Sequence, residues 1–176
     1  VLGSSGRPTY ARLTTAGALD STFGSGGLAQ EGDTALIDCG AIQANADGTI
    51  SSFCSRLISG AFFGRDVSVI RYNSAGARDA TFGGGSGIVV SNLFSMNLDA
   101  RAVALDPSGK VLVAGMLADA HDADAAVTRF TAAGAQDSYG NPTVVAARSG
   151  ASDDIANALV VLEDGSWGLV RASSNK

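Results

Sequence analysis

The strongest constraint on the fold of this chain is an internal repeat, present in three imperfect copies. Arg12, Arg71 and Arg129 correspond to one another at spacings of 59 and 58 residues. The residues that keep a constant offset from these arginines are Gly17, Gly76 and Gly134, followed by Asp20, Asp79 and Asp137. Self-similarity at a fixed period of this length indicates a repeat architecture.

A second pattern, between these segments, predicts a β-hairpin in each copy. Apolar residues flank a short turn within residues 41–50, 102–113 and 158–167. The turns are Asp47-Gly48, Ser108-Gly109 and Asp164-Gly165. Glycine supplies the positive φ that a tight hairpin turn requires.

The two patterns together predict four short antiparallel strands per copy, as in a β-propeller blade. The predicted segments are 1–31 (strands three and four of a blade), 38–91 and 99–147 (full blades), and 154–176 (strands one and two). We therefore predict an all-β chain that is one β-propeller segment over residues 1–176. Closed propellers have about four to eight blades, so about three blades make an incomplete ring. Another copy or another chain is expected to complete it.

The repeat also resembles a known family. Its pattern, aromatic-x-x-x-G-x-x-D-x-T-F-G-x-G-G, alternates with the Asp-Gly hairpins and resembles the delta-60 repeat of bacterial secreted and surface proteins over essentially the whole chain. The resemblance implies propeller blades in a protein that is extracellular, periplasmic or on the bacterial cell surface. It implies nothing about chemistry. The third copy departs from the pattern at residues 138–142, Ser-Tyr-Gly-Asn-Pro, which predicts an irregular fourth strand.

The repeated Arg, Asp and aromatic residues are interpreted as scaffold. An aspartate caps a turn through nearby backbone, and a strand arginine can pair with that carboxylate. Recurrence in every copy favours this interpretation over catalysis, because a catalytic site usually needs one unique set of residues. The aromatic residues Phe23, Phe82 and Tyr139 are predicted to pack between neighbouring blades.

The two cysteines of the chain, Cys39 and Cys54, flank the Asp47-Gly48 turn at nearly equal distances. This spacing places them on facing strands, within reach of a disulfide. A disulfide fits an exported protein. The alternative is a pair of buried thiols that act as small apolar residues.

An acidic loop around the single histidine is the one candidate metal site. Its residues Asp119, His121, Asp122 and Asp124 would attract a hard cation such as calcium. The loop lacks the glycine and the terminal glutamate of a calcium-binding loop, and Asp124 matches Asp66 of the preceding copy. A solvated acidic loop is therefore the alternative, and no other cofactor is expected.

Charge and hydropathy narrow the possible partners. The net charge is −5, and the 12 Lys and Arg residues are scattered, whereas nucleic-acid binding requires clustered cations. No apolar stretch approaches the roughly eighteen residues that span a bilayer. The chain begins at Val1 rather than Met, which we interpret as processing or a fragment boundary.

Two functions remain open from the sequence. The first is a non-enzymatic scaffold or binding module that presents loops to a protein or glycan partner. The second is an esterase- or glycosidase-like hydrolase with its site at the channel mouth, completed by blades outside this chain. The sequence contains no Gly-x-Ser-x-Gly elbow, and the glycine-rich segment 84–87 leads into a strand rather than a helix. These observations favour the non-enzymatic function without deciding whether the protein is an enzyme.

Overall fold

The computed structural model describes residues 7–57, 65–91, 97–118, 123–137, 143–146 and 152–175. Within these ranges the chain has twelve strands, one 3-10 turn at Gly83–Gly85 and no α-helix, which confirms the all-β prediction. The strands are β1 (Thr9–Ala11), β2 (Leu28–Gln30), β3 (Leu36–Ala44), β4 (Ile50–Leu57), β5 (Arg65–Tyr72), β6 (Ile88–Ser91), β7 (Asn97–Leu105), β8 (Val111–Ala118), β9 (Ala123–Phe130), β10 (Thr143–Ala146), β11 (Ser152–Val161) and β12 (Trp167–Asn175).

The strands form four antiparallel sheets, none of which closes on itself within the described residues. The first sheet is β1-β2, and the fourth is β11-β12. The second sheet runs β3-β4-β5-β6 and the third β7-β8-β9-β10, each with sequential strands as neighbours. In chain order, the two four-stranded meanders therefore lie between the two two-stranded sheets.

The hairpins that open the last three sheets turn at glycines in the left-handed region. The φ angles are 81° at Gly48, 78° at Gly109 and 82° at Gly165. An aspartate caps each turn, since the Asp47 carboxylate accepts the Thr49 amide at 2.9 Å and Asp106 and Asp164 cap theirs likewise. The turn chemistry of the sequence therefore fixes where β3, β7 and β11 reverse direction.

The strand register repeats from one sheet to the next. Ile50 pairs with Tyr72 between β4 and β5, and Val111 pairs with Phe130 between β8 and β9. In the first strand of each of the last three sheets, the register of pairing shifts just before an alanine. These alanines are Ala41, Ala102 and Ala158. β10 also shifts register against β9 after Val144, as expected from the altered third copy.

Three hydrophobic clusters lie between consecutive sheets. The cluster between the second and third sheets contains Phe53, Val67, Val69, Phe82, Val103, Val111, Val113, Ala126 and Phe130. The cluster between the first and second contains Tyr10, Phe23, Ala29, Leu36, Cys39, Ile50, Cys54, Ile70 and Tyr72. The cluster between the third and fourth contains Ala102, Leu112, Ala114, Ala125, Val127 and Ala156. Each sheet thus buries apolar side chains against its sequence neighbour, and this burial stabilises the fold.

Candidate functional site

The repeated arginine and aspartate form an ion pair at the corner that leads into the last strand of each repeat. In the second copy, Arg71 Nε donates to Asp79 Oδ2 at 2.7 Å. The other oxygen of Asp79 accepts the Thr81 amide at 2.9 Å and the Thr81 hydroxyl at 2.7 Å. The Arg71 guanidinium lies 4.5 Å from the centre of the buried Phe82 ring. The first copy repeats these contacts with Arg12, Asp20, Thr22 and Phe23.

The same corner reaches the following repeat through backbone carbonyls. Arg71 Nη1 donates to the Ala132 carbonyl at 2.9 Å, and the Gly83 amide donates to the Ala133 carbonyl at 2.9 Å. The equivalent bonds of the first copy are Arg12 to the Ser74 carbonyl and the Gly24 amide to the Ala75 carbonyl. In the first two copies, the arginine of the ion pair is therefore also bonded to the following repeat.

The carbonyls that accept these bonds belong to a tight turn whose glycine touches the preceding corner. Gly76 has a φ of 81°, and a Cβ built there would lie 2.7 Å from the Gly24 nitrogen. Gly134 has a φ of 90°, and its Cβ would lie 3.0 Å from the Gly83 nitrogen. The glycine of this turn is thus required twice over, by its backbone conformation and by the close approach of the neighbouring repeat.

In the third copy, the aspartate of the ion pair also accepts a hydrogen bond from a lysine. Arg129 Nε donates to Asp137 Oδ2 at 2.8 Å, and Lys110 Nζ donates to the same oxygen at 3.0 Å. Tyr139, the predicted packing residue of this copy, lies outside the described residues. Lys110 comes from the hairpin of the same repeat, so this corner is tied to its own sheet as well.

The corner aspartates stay ionised at neutral pH. Burial raises the pKa of Asp79, but the bonds from Thr81 and the charge of Arg71 more than offset it, and the net pKa is lowered. The bonds from Thr22 lower the pKa of Asp20, and the bond from Lys110 lowers that of Asp137. These shifts have structural causes in every copy, so they do not mark a reactive group.

The cysteines form the predicted disulfide. Cys39 on β3 is bonded to Cys54 on β4, and both residues are buried in the cluster between the first and second sheets. The bond closes a sequence separation of 15 residues around the Asp47-Gly48 turn. It therefore cross-links the hairpin that opens the second sheet.

Removal of this disulfide is expected to cost about 2 kcal/mol of unfolding free energy. This is the low end of the range for such a bond, because the Asp47-Gly48 turn already favours closure of the short loop in the unfolded chain. The measurement is urea unfolding of the Cys39→Ala/Cys54→Ala protein beside the oxidised wild type. Equal midpoints for the two proteins would contradict the expectation.

A buried polar network joins the first and second sheets, and sequence reasoning missed it. Glu31 is 4% exposed. Its Oε1 accepts Arg78 Nη2 at 2.6 Å, and its Oε2 accepts the Tyr72 hydroxyl at 2.6 Å. Burial raises the pKa of Glu31, but the bonds from Arg78, Tyr72 and the Asp33 amide more than offset it, so the net pKa is lowered. One signal in the sequence could have indicated this network. Arg78 is an arginine in the second copy only, since Leu19 and Gln136 occupy the equivalent positions of the other copies.

Two tyrosines extend this network toward the disulfide. The rings of Tyr10 and Tyr72 have centroids 4.7 Å apart. Tyr10 donates its hydroxyl to Ser52 Oγ at 3.0 Å. Burial raises the pKa of both Tyr10 and Tyr72, and the nearby Tyr10 and Glu31 raise that of Tyr72 further, so both phenols are neutral donors at ordinary pH. The network satisfies its buried groups internally, which is the arrangement of a structural element.

A polar cleft of about 450 Å³ lies between the hairpin turns of the second and third sheets. One wall comes from the β3–β4 hairpin and the other from the β7–β8 hairpin. The lining includes Gln43, Asn45, Asp47, Leu105, Asp106 and Pro107. Thr49 lowers the pKa of the Asp47 carboxyl through two bonds. The guanidinium of Arg71 also lines the cleft, so the lining carries charges of both signs at neutral pH. Amide and carboxylate groups beside a small apolar surface suit a hydroxyl-bearing ligand.

The candidate metal residues are largely beyond what the structure describes. Asp119, His121 and Asp122 lie outside the described residues, and Asp124 lies on β9. Among the residues that are described, no group of three His, Cys, Asp or Glu side chains is placed to hold a metal ion. In the same part of the chain, no helix is long and apolar enough to cross a membrane.

The sequence matches no protein-family model and no curated protein. The three internal copies differ in which residues they share, and they show two kinds of feature. The ion pair of arginine and aspartate recurs in every copy, whereas Glu31 and Arg78 occur in one copy only. The cleft combines the repeated Arg71 with residues that do not recur, such as Gln43.

Proposed function

We propose that this chain forms blades of a β-propeller of the delta-60 type that acts as a binding scaffold. The four-stranded meanders, each packed on the next sheet in sequence, support the blade arrangement. The bonds from Gly24 and Gly83 attach the first sheet to the second, and the second to the third, in the same way. A repeated attachment of this kind is what we expect between successive blades of a propeller.

We also propose a location outside the bacterial cytoplasm. The Cys39–Cys54 bond is buried in a hydrophobic cluster, and stable disulfides form in oxidising compartments. The extracellular space, the periplasm and the cell surface all meet this condition. The resemblance to secreted and surface proteins supports the same location.

The proposed binding site is the cleft between the β3–β4 and β7–β8 hairpins. Lining residues such as Gln43, Leu105 and Pro107 do not recur at the equivalent positions of the other copies, as expected when a repeated scaffold presents a specific surface. Gln43, Asn45 and the ionised Asp47 supply hydrogen-bonding groups, and Leu105 with Pro107 supplies an apolar surface. This combination fits a glycan, which offers hydroxyls at the ring edge and an apolar ring face. A protein partner is the other outcome of the test.

A matched pair of variants tests this role. Ala46 is exposed at the tip of the β3–β4 turn and lines the cleft. Glu163 is exposed at the equivalent position of the β11–β12 turn, away from the cleft. On a glycan array, the wild type and Glu163→Trp are expected to bind the same glycans. Ala46→Trp fills the cleft and is expected to weaken binding about tenfold or more.

Two results would oppose the proposal. The first is an array without any bound glycan, and a protein partner would then be sought by cross-linking on intact cells. The second is a glycan that binds Ala46→Trp as well as the wild type, because its site would lie elsewhere on the protein. Unfolding curves of both variants provide the control that the hairpins remain folded.

A further inference from the structure

We propose that the ligand of this cleft is a glycan with a free amino group, whose ammonium binds at the Asp47 carboxylate beside the ion pair of Arg71 and Asp79. This inference rests on the binding role proposed above and adds the chemical class of the ligand. It is carried by a comparison of the second and third copies, because the third copy places a lysine ammonium of its own at the equivalent position.

The hairpin turns of the second and third sheets correspond residue by residue. The Asn45 amide donates to the Thr49 carbonyl at 2.9 Å, as the Asp106 amide donates to the Lys110 carbonyl at 3.0 Å. Thr49 and Lys110 each directly precede the second strand of their sheet, β4 and β8 respectively. Thr49 in the second copy is therefore the counterpart of Lys110 in the third.

In the third copy, the lysine completes the charge balance of the corner. Lys110 Nζ lies 3.0 Å from Asp137 Oδ2, which also accepts Arg129 Nε at 2.8 Å. The hairpin turn of this copy contributes a second carboxylate, that of Asp106, which accepts the Lys110 amide at 3.0 Å. Two carboxylates are therefore balanced by two cations within one copy.

The second copy has the same number of carboxylates and one cation fewer. Arg71 Nε donates to Asp79 Oδ2 at 2.7 Å, and the hairpin turn contributes the carboxylate of Asp47. Thr49 carries no charge, and its hydroxyl donates to Asp47 Oδ1 at 2.7 Å. Among the described side chains, none forms an ion pair with Asp47. The second copy thus lacks the cation that the third copy supplies from its own hairpin.

The cleft leads to this corner. Asp47 and Arg71 line its wall on the second sheet, and Asp106 lines the opposite wall. The charge of Arg71 is already paired with Asp79, so a ligand in the cleft meets carboxylates from both walls. A cation is the complementary charge for such a surface. An ammonium also has three donors and no acceptor, which suits carboxylate oxygens.

A buried hydroxyl beneath the cleft differs between the copies in the same sense. Ser51 pairs with Arg71 across β4 and β5, so its side chain lies on the same face of the sheet as Arg71. It is fully buried, and its Oγ has no hydrogen-bond partner in the part of the chain that the structure describes. The equivalent residue of the third copy is the apolar Leu112, opposite Arg129. A donor that enters beside Arg71 would supply the bond that the Ser51 hydroxyl lacks.

An amino sugar matches the remaining groups of the cleft as well. Its hydroxyls suit the amides of Gln43 and Asn45, and its ring face suits the apolar surface of Leu105 and Pro107. N-acetylation of the same sugar removes the positive charge and adds a carbonyl acceptor, which carboxylates disfavour. The cleft is therefore expected to distinguish the free amine from the acetylated one.

Two short oligosaccharides that differ only in N-acetylation test the class of ligand. The probes are a glucosamine oligosaccharide and its N-acetylated counterpart, titrated calorimetrically into the protein in mildly acidic buffer, in which the amine is charged. The glucosamine oligosaccharide is expected to bind about tenfold or more tightly than its counterpart. Equal affinities would overturn the inference and leave the proposed glycan site in place. The absence of binding by these and all other glycans would oppose both.

Thr49→Lys tests the position. The new lysine is expected to pair with Asp79, as Lys110 pairs with Asp137, and to weaken binding of the glucosamine oligosaccharide about tenfold or more. The control is Ser166→Lys, at the equivalent place in the β11–β12 hairpin, since Ser166 also donates its hydroxyl to the aspartate of its turn. Both variants have the same net charge, which matters because the chain carries −5 and attracts any cation. Equal affinities of the two variants would overturn the inference.

A second matched pair removes a carboxylate and leaves the size of the side chain unchanged. Asp47→Asn is expected to weaken binding of the glucosamine oligosaccharide about tenfold or more, because the ammonium loses its partner. Asp164→Asn makes the same change in the β11–β12 turn and is expected to bind like the wild type. Equal affinities of this pair would place the amine elsewhere and overturn the inference. Binding of an oligolysine peptide in place of every glycan would also overturn it.

Discussion

Gly76→Ala is expected to lower the free energy of unfolding by about 3 kcal/mol, through strain and overpacking together. The strain arises because alanine is disfavoured at the φ of 81°. The overpacking arises because the new Cβ would lie 2.7 Å from the Gly24 nitrogen, a backbone atom held by its own bond to Ala75. The first and second sheets would have to separate locally to make room.

Gly17 provides the matched control for this substitution. It occupies the same turn in the first copy, with a φ of 82°, and a Cβ there meets no atom within 4 Å. Gly17→Ala is therefore expected to cost only the strain, about 1 kcal/mol. Urea unfolding of the two variants measures the difference. Equal losses would show that the turn in the second copy is not pressed against the preceding corner.

Glu31→Gln is expected to cost about 3 kcal/mol at neutral pH, the cost of breaking a buried ion pair by removing one partner. The substitution removes the negative charge that Arg78 contacts at 2.6 Å. It also replaces one acceptor oxygen by a donor beside the Tyr72 hydroxyl or the Gly32 amide. The measurement is the free energy of unfolding in urea, with the exposed Glu163→Gln as a control that should differ little from wild type.

The cost of Glu31→Gln is expected to depend on pH in a defined direction. The folded-state pKa of Glu31 is lowered from 4.5, so its ionised form stabilises the fold fully above about pH 4.5. That contribution is lost as the pH falls through the folded-state pKa. The difference between wild type and variant should therefore shrink as the solution is acidified below about pH 4.5. A difference that is constant from neutral to acid pH would contradict the assigned ionisation.

Local features of the fold could be predicted from the sequence because each depends on neighbouring residues. The turn at Asp47-Gly48 follows from glycine and aspartate chemistry, and the short apolar runs beside it follow from strand periodicity. The repeat strengthens these predictions, because the same turn and strand pattern occurs in each copy. The Cys39–Cys54 bond could be predicted for the same reason, because both residues flank one turn.

Contacts between repeats could not be predicted in the same way. The bond from the Gly83 amide to the Ala133 carbonyl joins residues 50 positions apart, and no local pattern identifies the acceptor. Glu31 and Arg78 are equally remote in sequence, and neither recurs in the other copies. The cleft between the hairpins depends on how two sheets sit together, which the strand pattern leaves open.

Amide hydrogen exchange at Gly24 and Gly83 is the most direct test of the attachment between repeats. Each amide is donated to a carbonyl of the following repeat, at 2.8 and 2.9 Å. If these bonds fasten successive sheets, both amides will exchange as slowly as those at the centres of β5 and β8, through global unfolding. Exchange at the rate of an unprotected loop amide would contradict the account, because the sheets would then be joined by apolar contact alone.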